Sequence, residues 1–170
     1  MNIDDDNRWL IALISDTGMR LSEAAWLHVK DISINSDIPH VNLQAYPWRP
    51  LKTKSSERQI PLVGISLWAA KTIKNYQSDN PFAFPRYCNS LGCNANSASS
   101  ALNKWMKEST GNGYVLHSFR HSMRDRLRNV ECPSEIINQI GGWTRENVGE
   151  AYGEGHSLKL KFKWMIKLQK

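Results

Sequence analysis

The segment Leu116-His117-Ser118-Phe119-Arg120-His121 sets an imidazole and a guanidinium three residues apart. On a helix that spacing puts both side chains on one face. The segment opens a helix predicted over His117–Asn129, entered from the loop Gly111-Asn112-Gly113, and Arg120, Arg124, Arg126 and Arg128 make it strongly cationic. Taken alone, His-x-x-Arg is more often a solvated face or a capping pair than a site, so its meaning depends on the rest of the chain.

Towards the N-terminus, residues 4–16 read as a helix. Asp4, Asp5 and Asp6 lie in its first turn, Leu10, Leu13 and Ile14 share a face, and Thr17-Gly18 ends it. A short helix follows over 21–27. Residues 29–34, 41–44 and 59–62 have strand character, punctuated by Pro39, Pro47 and Pro50, with 52–57 as the hairpin turn before the last strand. From Ile65 the chain turns helical, with Trp68, Thr72, Ile73 and Tyr76 at helical spacing, and 80–100 reads as an irregular connection. The next helix carries Ala98, Leu102 and Trp105 on one face.

Towards the C-terminus, Pro133 suits a helix start and carries Ile136, Ile137 and Ile140 inward. Gly141-Gly142 stops that helix, and a short one should then carry Tyr152. The tail from Leu158 alternates apolar residues with lysines, as a strand would. The run Trp164-Met165-Ile166 breaks the alternation and favours a helix, whose stripe would be Lys159, Lys163, Lys167 and Lys170. The fold class expected is mainly α with a small antiparallel β-sheet (α+β), in one domain spanning 1–170.

Composition narrows the function classes. Hydrophobic residues make up 41% and charged residues 22% of 170 residues, as in an ordinary globular chain, and several of the seven Trp are expected to anchor the core. No apolar run approaches the roughly 18 residues a membrane helix needs, and no leader opens the chain, so the expectation is a cytoplasmic protein with no membrane partner. Lys+Arg exceed Asp+Glu by 22 to 16, which favours a polyanionic partner. Cys88, Cys93 and Cys132 form no disulfide framework, and an odd count fits a reducing compartment. No second ligand pair follows Cys88 and Cys93, so no metal and no cofactor is expected.

Four separated fragments carry chemistry. Thr17-Gly18-Met19-Arg20-Leu21-Ser22-Glu23 places Arg20 at the mouth of a helix. Leu51-Lys52-Thr53-Lys54 heads the hairpin that finishes in Arg58-Gln59-Ile60-Pro61-Leu62. His117 and Arg120 share their face, and Gly141-Gly142-Trp143-Thr144 brings Trp143 to nine residues before Tyr152. Each alone has a bland reading: a surface arginine, a solvated turn, a core tryptophan, a packing tyrosine.

Together and in this order the fragments resemble the tyrosine recombinases of the phage-integrase family, over Thr17 to Tyr152. The resemblance implies the catalytic-core fold of that family and DNA strand cleavage and rejoining through a covalent 3′-phosphotyrosine, without a metal. It implies Arg20 and Arg120 as the catalytic arginines, His117 as the histidine of the second box, Trp143 at the His/Trp position and Tyr152 as nucleophile. Lys52 is the hairpin lysine chosen, with Lys54 as runner-up. Glu23 matches a family acid expected to be a buried support, and His121 is either a neighbour of the site or a helix-surface residue. The implied partner is double-stranded DNA, bound as a tetramer, with a monomer or weak oligomer in its absence and room for accessory DNA-bending proteins. Relatives carry an N-terminal DNA-clamping domain, so this chain reads as the catalytic domain alone.

Physical chemistry agrees with that assignment. Attack on a phosphodiester builds a doubly charged pentacoordinate centre, and without a carboxylate cluster to hold magnesium its charge must be met by protein donors. Guanidiniums are permanently charged and offer a planar fork to two phosphate oxygens. Tyr152 starts as a phenol of pKa about 10, which nearby arginines would favour as phenolate. His117 suits management of the phenol proton, and a mobile Lys52 could protonate the leaving 5′-oxygen. Trp143 is a donor with no acceptor role, so it can hold an oxygen but cannot shuttle protons. The rivals are a type IB topoisomerase-like relaxing enzyme and a non-catalytic DNA-binding remnant. The spacing from Trp143 to Tyr152 disfavours the first, and the filled set of positions disfavours the second. Arg20 and Arg120 are so far apart in sequence that only tertiary folding can unite them.

Overall fold

The computed structural model describes residues 5–47, 49–77, 79–89, 92–111, 113–143 and 155–169. Helix α1 (Asp6–Thr17) begins where the Asp5 carboxylate accepts the Arg8 N–H at 3.0 Å, a side-chain cap for an otherwise unsatisfied donor. It ends at Gly18, whose φ of 64° closes the last turn. Its apolar face buries Trp9, Leu10, Leu13 and Ile14, the face read from their spacing. Helix α2 (Leu21–Ala25) follows after three residues and buries Ala24 and Ala25.

A three-stranded antiparallel sheet is built from β1 (Ile32–Ser33), β2 (His40–Leu43) and β3 (Arg58–Pro61), with β2 in the middle. Ile32 faces Val41, and Val41 faces Ile60, so one apolar row crosses the sheet into the core. Helices α3 (Gly64–Tyr76), α4 (Ala95–Thr110), α5 (His117–Asn129) and α6 (Ser134–Gly141) complete the body. The mainly helical fold with a small antiparallel sheet expected from the sequence is what the structure shows, and α5 has the limits read from the sequence.

Several local expectations are corrected. The strand expected over 29–34 shortens to β1, because Val29–Asp31 forms a 3₁₀ turn. There the Asp31 carboxylate accepts the His28 N–H at 3.0 Å, and the side chain is buried against Arg49. The connection 80–100 contains a hairpin, β4 (Cys88–Asn89) and β5 (Gly92–Cys93). On α3 the inward residues are Ser66, Ala69, Ala70 and Ile73, while Trp68 and Tyr76 are exposed. The small side chains let α1 come close, and a Trp there would hold the helices apart. Of the Trp residues described, only Trp9 is fully part of the core; Trp26, Trp105, Trp143 and Trp164 pack at its edge.

The tail is helical, as α7 (Leu158–Met165) and a closing 3₁₀ turn over Ile166–Gln169. It packs on its own chain: Met165 is fully buried, and the Lys161 ammonium donates to the Gln59 carbonyl of β3 at 2.8 Å. Burial, and then the charge of Arg58, lower the pKa of Lys161. The short helix expected to carry Tyr152 lies outside the described residues. Among those described, no helix is long and apolar enough to cross a membrane.

Candidate active site

The site forms where the α1–α2 turn, the β2–β3 connection, the start of α5 and the end of α6 meet. Arg20 caps α2, and its N–H donates to the Glu23 carboxylate at 2.9 Å, a reach-back that satisfies a free donor at the helix start. The Arg20 guanidinium then spreads over three partners: Glu23 at 2.5 Å, the Ser56 hydroxyl at 3.2 Å and the Gly142 carbonyl at 3.2 Å. One bond thus ties the start of α2 to the end of α6, across 122 positions of sequence.

Glu23 is shared. Its second oxygen accepts from Arg58 at 2.9 Å, with both side chains 4% exposed. Arg58 also donates to the carbonyls of Ile140 at 2.8 Å and Ser56 at 2.7 Å. Burial alone would raise the Glu23 pKa, yet Arg58 and then Arg20 hold it below the ordinary carboxylate value. Gly142 is required beside them: its φ is 63°, and an added Cβ would lie 2.6 Å from the Arg58 guanidinium.

Arg120 enters from α5. It is 4% exposed, donates to the Gly18 carbonyl, and lies 4.4 Å from the centre of the Trp143 ring. Arg124 lies over the same ring at 5.4 Å. The second terminal nitrogen of Arg120 is buried and has no hydrogen-bond partner among the described residues. Burial first, then the charges of Arg20 and Arg58, bring the Arg120 pKa down to about 10. The guanidinium remains charged at neutral pH, and the Glu23 carboxylate offsets only part of the effect of its burial and of its cationic neighbours.

His117 and Arg120 line one pocket of about 210 Å³, together with Met19, Leu21 and Asn103. The His117 ring stands edge-on to His121 at 4.8 Å. Partial desolvation, then His121, Arg120 and Arg20, lower the His117 pKa, which leaves the imidazole neutral at pH 7.

The β2–β3 connection, residues 44–57, is fixed at both ends. At one end the fully buried Arg49 donates to Asp31 at 2.8 Å and, through two nitrogens, to the Gln44 carbonyl at 3.1 and 2.7 Å. Tyr46 donates to the other Asp31 oxygen at 2.8 Å. At the far end lie Ser56 and Arg58. Lys52 lies in sequence between these anchors and is exposed. Tyr152 lies outside the described residues.

The structure therefore brings together Arg20, Arg120, Trp143 and His117, and it leaves Lys52 on an exposed arm. Over residues 2–156 the sequence matches the family model described as the phage integrase family. This chain belongs to the phage integrase family. No curated protein matches it. Two solved structures share its fold, both of the Tn1549 transposon integrase. The one in complex with transposon right end DNA is 18% identical, with a TM-score of 0.56 over 94% of this chain and 57% of that chain. The one in complex with circular intermediate DNA is 21% identical, with a TM-score of 0.57 over 99% of this chain and 61% of that chain. The integrase chain described here thus spans about three fifths of the length of those it resembles.

Within this integrase fold, sequence reading missed Arg58 and Ser56 as parts of the site. A signal for Arg58 existed. It shares the inward face of β3 with Ile60, two residues on, and a charge at a core-facing strand position demands a buried partner. Ser56 carried no such signal, because its place against Arg20 is set by a turn.

Proposed function

We propose that this integrase domain cuts and rejoins double-stranded DNA at specific sites through a 3′-phosphotyrosine on Tyr152. The observation that carries the reading is the unfilled nitrogen of Arg120, buried beside Arg20 and Arg58 with Glu23 as the acid they share. Leaving a buried charged donor unmade is costly. A phosphate bound there would fill it, and a pentacoordinate phosphorus with more negative charge would fill it better, which is the condition for catalysis.

In this reading Arg120 and Arg20 hold the non-bridging oxygens. Trp143 stacks on Arg120 and offers its indole N–H to the phosphate. His117, neutral at pH 7, takes the phenol proton of Tyr152. Lys52 protonates the departing 5′-oxygen from its exposed arm. Glu23 and Arg58 touch no substrate; they set the angle of Arg20. Four protomers assemble on DNA, with accessory DNA-bending proteins admitted. Among the described residues no cluster of three or more His, Cys, Asp or Glu could hold a metal ion.

The decisive experiment offers a library of nicked suicide duplexes and sequences the DNA trapped on protein. The unaltered chain should form a covalent adduct at a 3′-phosphate within a common sequence, and Tyr152→Phe should form none. Survival of the adduct in Tyr152→Phe would remove Tyr152 as nucleophile. Relaxation of plasmids without any sequence preference would favour the topoisomerase-like reading.

A further inference from the structure

We propose that Cys88 and Cys93 form a cross-strand thiol pair that closes to a disulfide on meeting a low-molecular-weight disulfide. Both cysteines are free, and they face each other directly in the β4–β5 hairpin. The neighbouring rung is hydrogen-bonded, with the Asn94 N–H donating to the Tyr87 carbonyl at 2.8 Å. Rungs of an antiparallel ladder alternate, so the Cys88–Cys93 rung is the non-hydrogen-bonded kind, with Cα atoms about 4.5 Å apart. That spacing falls inside the range of roughly 4.4–6.8 Å that disulfides span without moving the backbone.

The thiols already form a chain. The Cys93 thiol donates to the Cys88 sulfur, and the Cys88 thiol donates to the Ala25 carbonyl at 2.9 Å. Both line an open cleft of about 350 Å³ with Arg86 and Tyr87 at its rim. Arg86 is exposed and stands over the Tyr87 ring, and Asp6 lies close enough to offset part of its charge. Cys132 has no thiol opposite it.

The step is thiol–disulfide exchange. Cys93, the more exposed of the two, attacks as thiolate; a Cys93–reagent S–S bond forms, the reagent's own S–S bond breaks, and one thiolate leaves and takes up a proton. Cys88 loses its proton to solvent and attacks the Cys93 sulfur, expelling the second thiolate. Two protein thiols are oxidised and one small disulfide is reduced to two thiols. The bond to Cys88 and then burial push the Cys93 thiol up, so closure is slow at neutral pH and accelerates in alkali. Closure removes the S–H donor from Ala25, the last residue of the helix that Arg20 caps.

The test incubates the whole chain with oxidised glutathione, then reads intact mass and a non-reducing peptide map. The expected result is loss of two hydrogens and a single Cys88–Cys93 link, faster at higher pH. Cys88→Ser should instead hold glutathione on Cys93, about tenfold more than the unaltered chain at equal times, because no resolving thiol remains. A stable glutathione adduct on the unaltered chain, or a link through Cys132, overturns the proposal, and this result stands whether or not the variant folds. Amide exchange over residues 21–27 should rise on closure; unchanged exchange would overturn the link to α2.

Discussion

Arg58 and Glu23 form a buried ion pair at 2.9 Å, joining β3 to the helix that begins at Arg20. Arg58 touches the backbone at both Ser56 and Ile140, so one guanidinium clamps the β2–β3 connection and the end of α6 around a carboxylate. The candidate catalytic arginine Arg20 leans on the same carboxylate. Its position is therefore set in part by a buried ion pair.

Removing one member should be far worse than removing both. Glu23→Gln leaves Arg58 buried and uncompensated, a loss of about 3–5 kcal/mol. The double variant Glu23→Gln with Arg58→Met should lose markedly less than the sum of its single changes. Urea unfolding of the four proteins measures this, and additive losses would contradict a direct coupling.

Arg120→Lys should keep the fold and lose the reaction. An ammonium retains the charge but not the planar fork, and it stacks poorly on Trp143. Adduct formation on a suicide duplex should fall by about a hundredfold or more, with the thermal midpoint little changed. Near-normal cleavage would mean that charge alone suffices there.

Gly141→Ala should displace Trp143. A Cβ on Gly141 would stand 1.7 Å from the indole ring, so the ring must leave its place over Arg120. Overpacking of this kind costs about 1–3 kcal/mol. Thermal unfolding and the cleavage rate should both fall, and Trp143→Ala should restore the stability of Gly141→Ala though not its activity.

The pH profile of cleavage should show an acid limb below pH 6.5. His117 has its pKa lowered from 6.5 by desolvation, then by His121, Arg120 and Arg20. Protonation therefore favours the unfolded chain. The contribution of His117 to folding is whole above pH 6.5 and diminishes as pH falls towards its depressed value. As proton acceptor it stays competent through the same range. Initial adduct rates between about pH 5 and 8 measure the limb. His117→Gln should abolish it, His121→Gln should only shift it, and a limb above pH 6.5 would contradict the assignment.

Lys52→Ala should change stability by less than about 0.5 kcal/mol, as expected of an exposed residue. Cleavage should slow by about a hundredfold or more if its ammonium is the general acid. A duplex with sulfur in place of the bridging 5′-oxygen has a leaving group that needs no acid, and it should restore the Lys52→Ala rate. Failure of that rescue, with Lys54→Ala rescued in its place, would move the role to Lys54.

By itself the sequence determined the inward faces of α1 and α6. Leu10, Leu13 and Ile14 on α1, and Ile136, Ile137 and Ile140 on α6, repeat with the helical period, and Gly18 and Gly142 stand where left-handed turns close those helices. It also determined the order of Arg20, His117, Arg120 and Trp143, and with that order the family. These features are legible because they depend on neighbours a turn away, whose geometry the backbone period sets.

Only the tertiary structure decided that Arg120 reaches the Gly18 carbonyl, that Arg20 reaches Gly142, and that Arg58 and Ser56 complete their surroundings. It likewise decided that Trp68 stays outside while alanines face α1, and that Lys161 turns inward to β3. Pairings across a hundred residues leave no periodic trace, because their energy comes from burial and charge compensation between elements whose approach is set by the whole core.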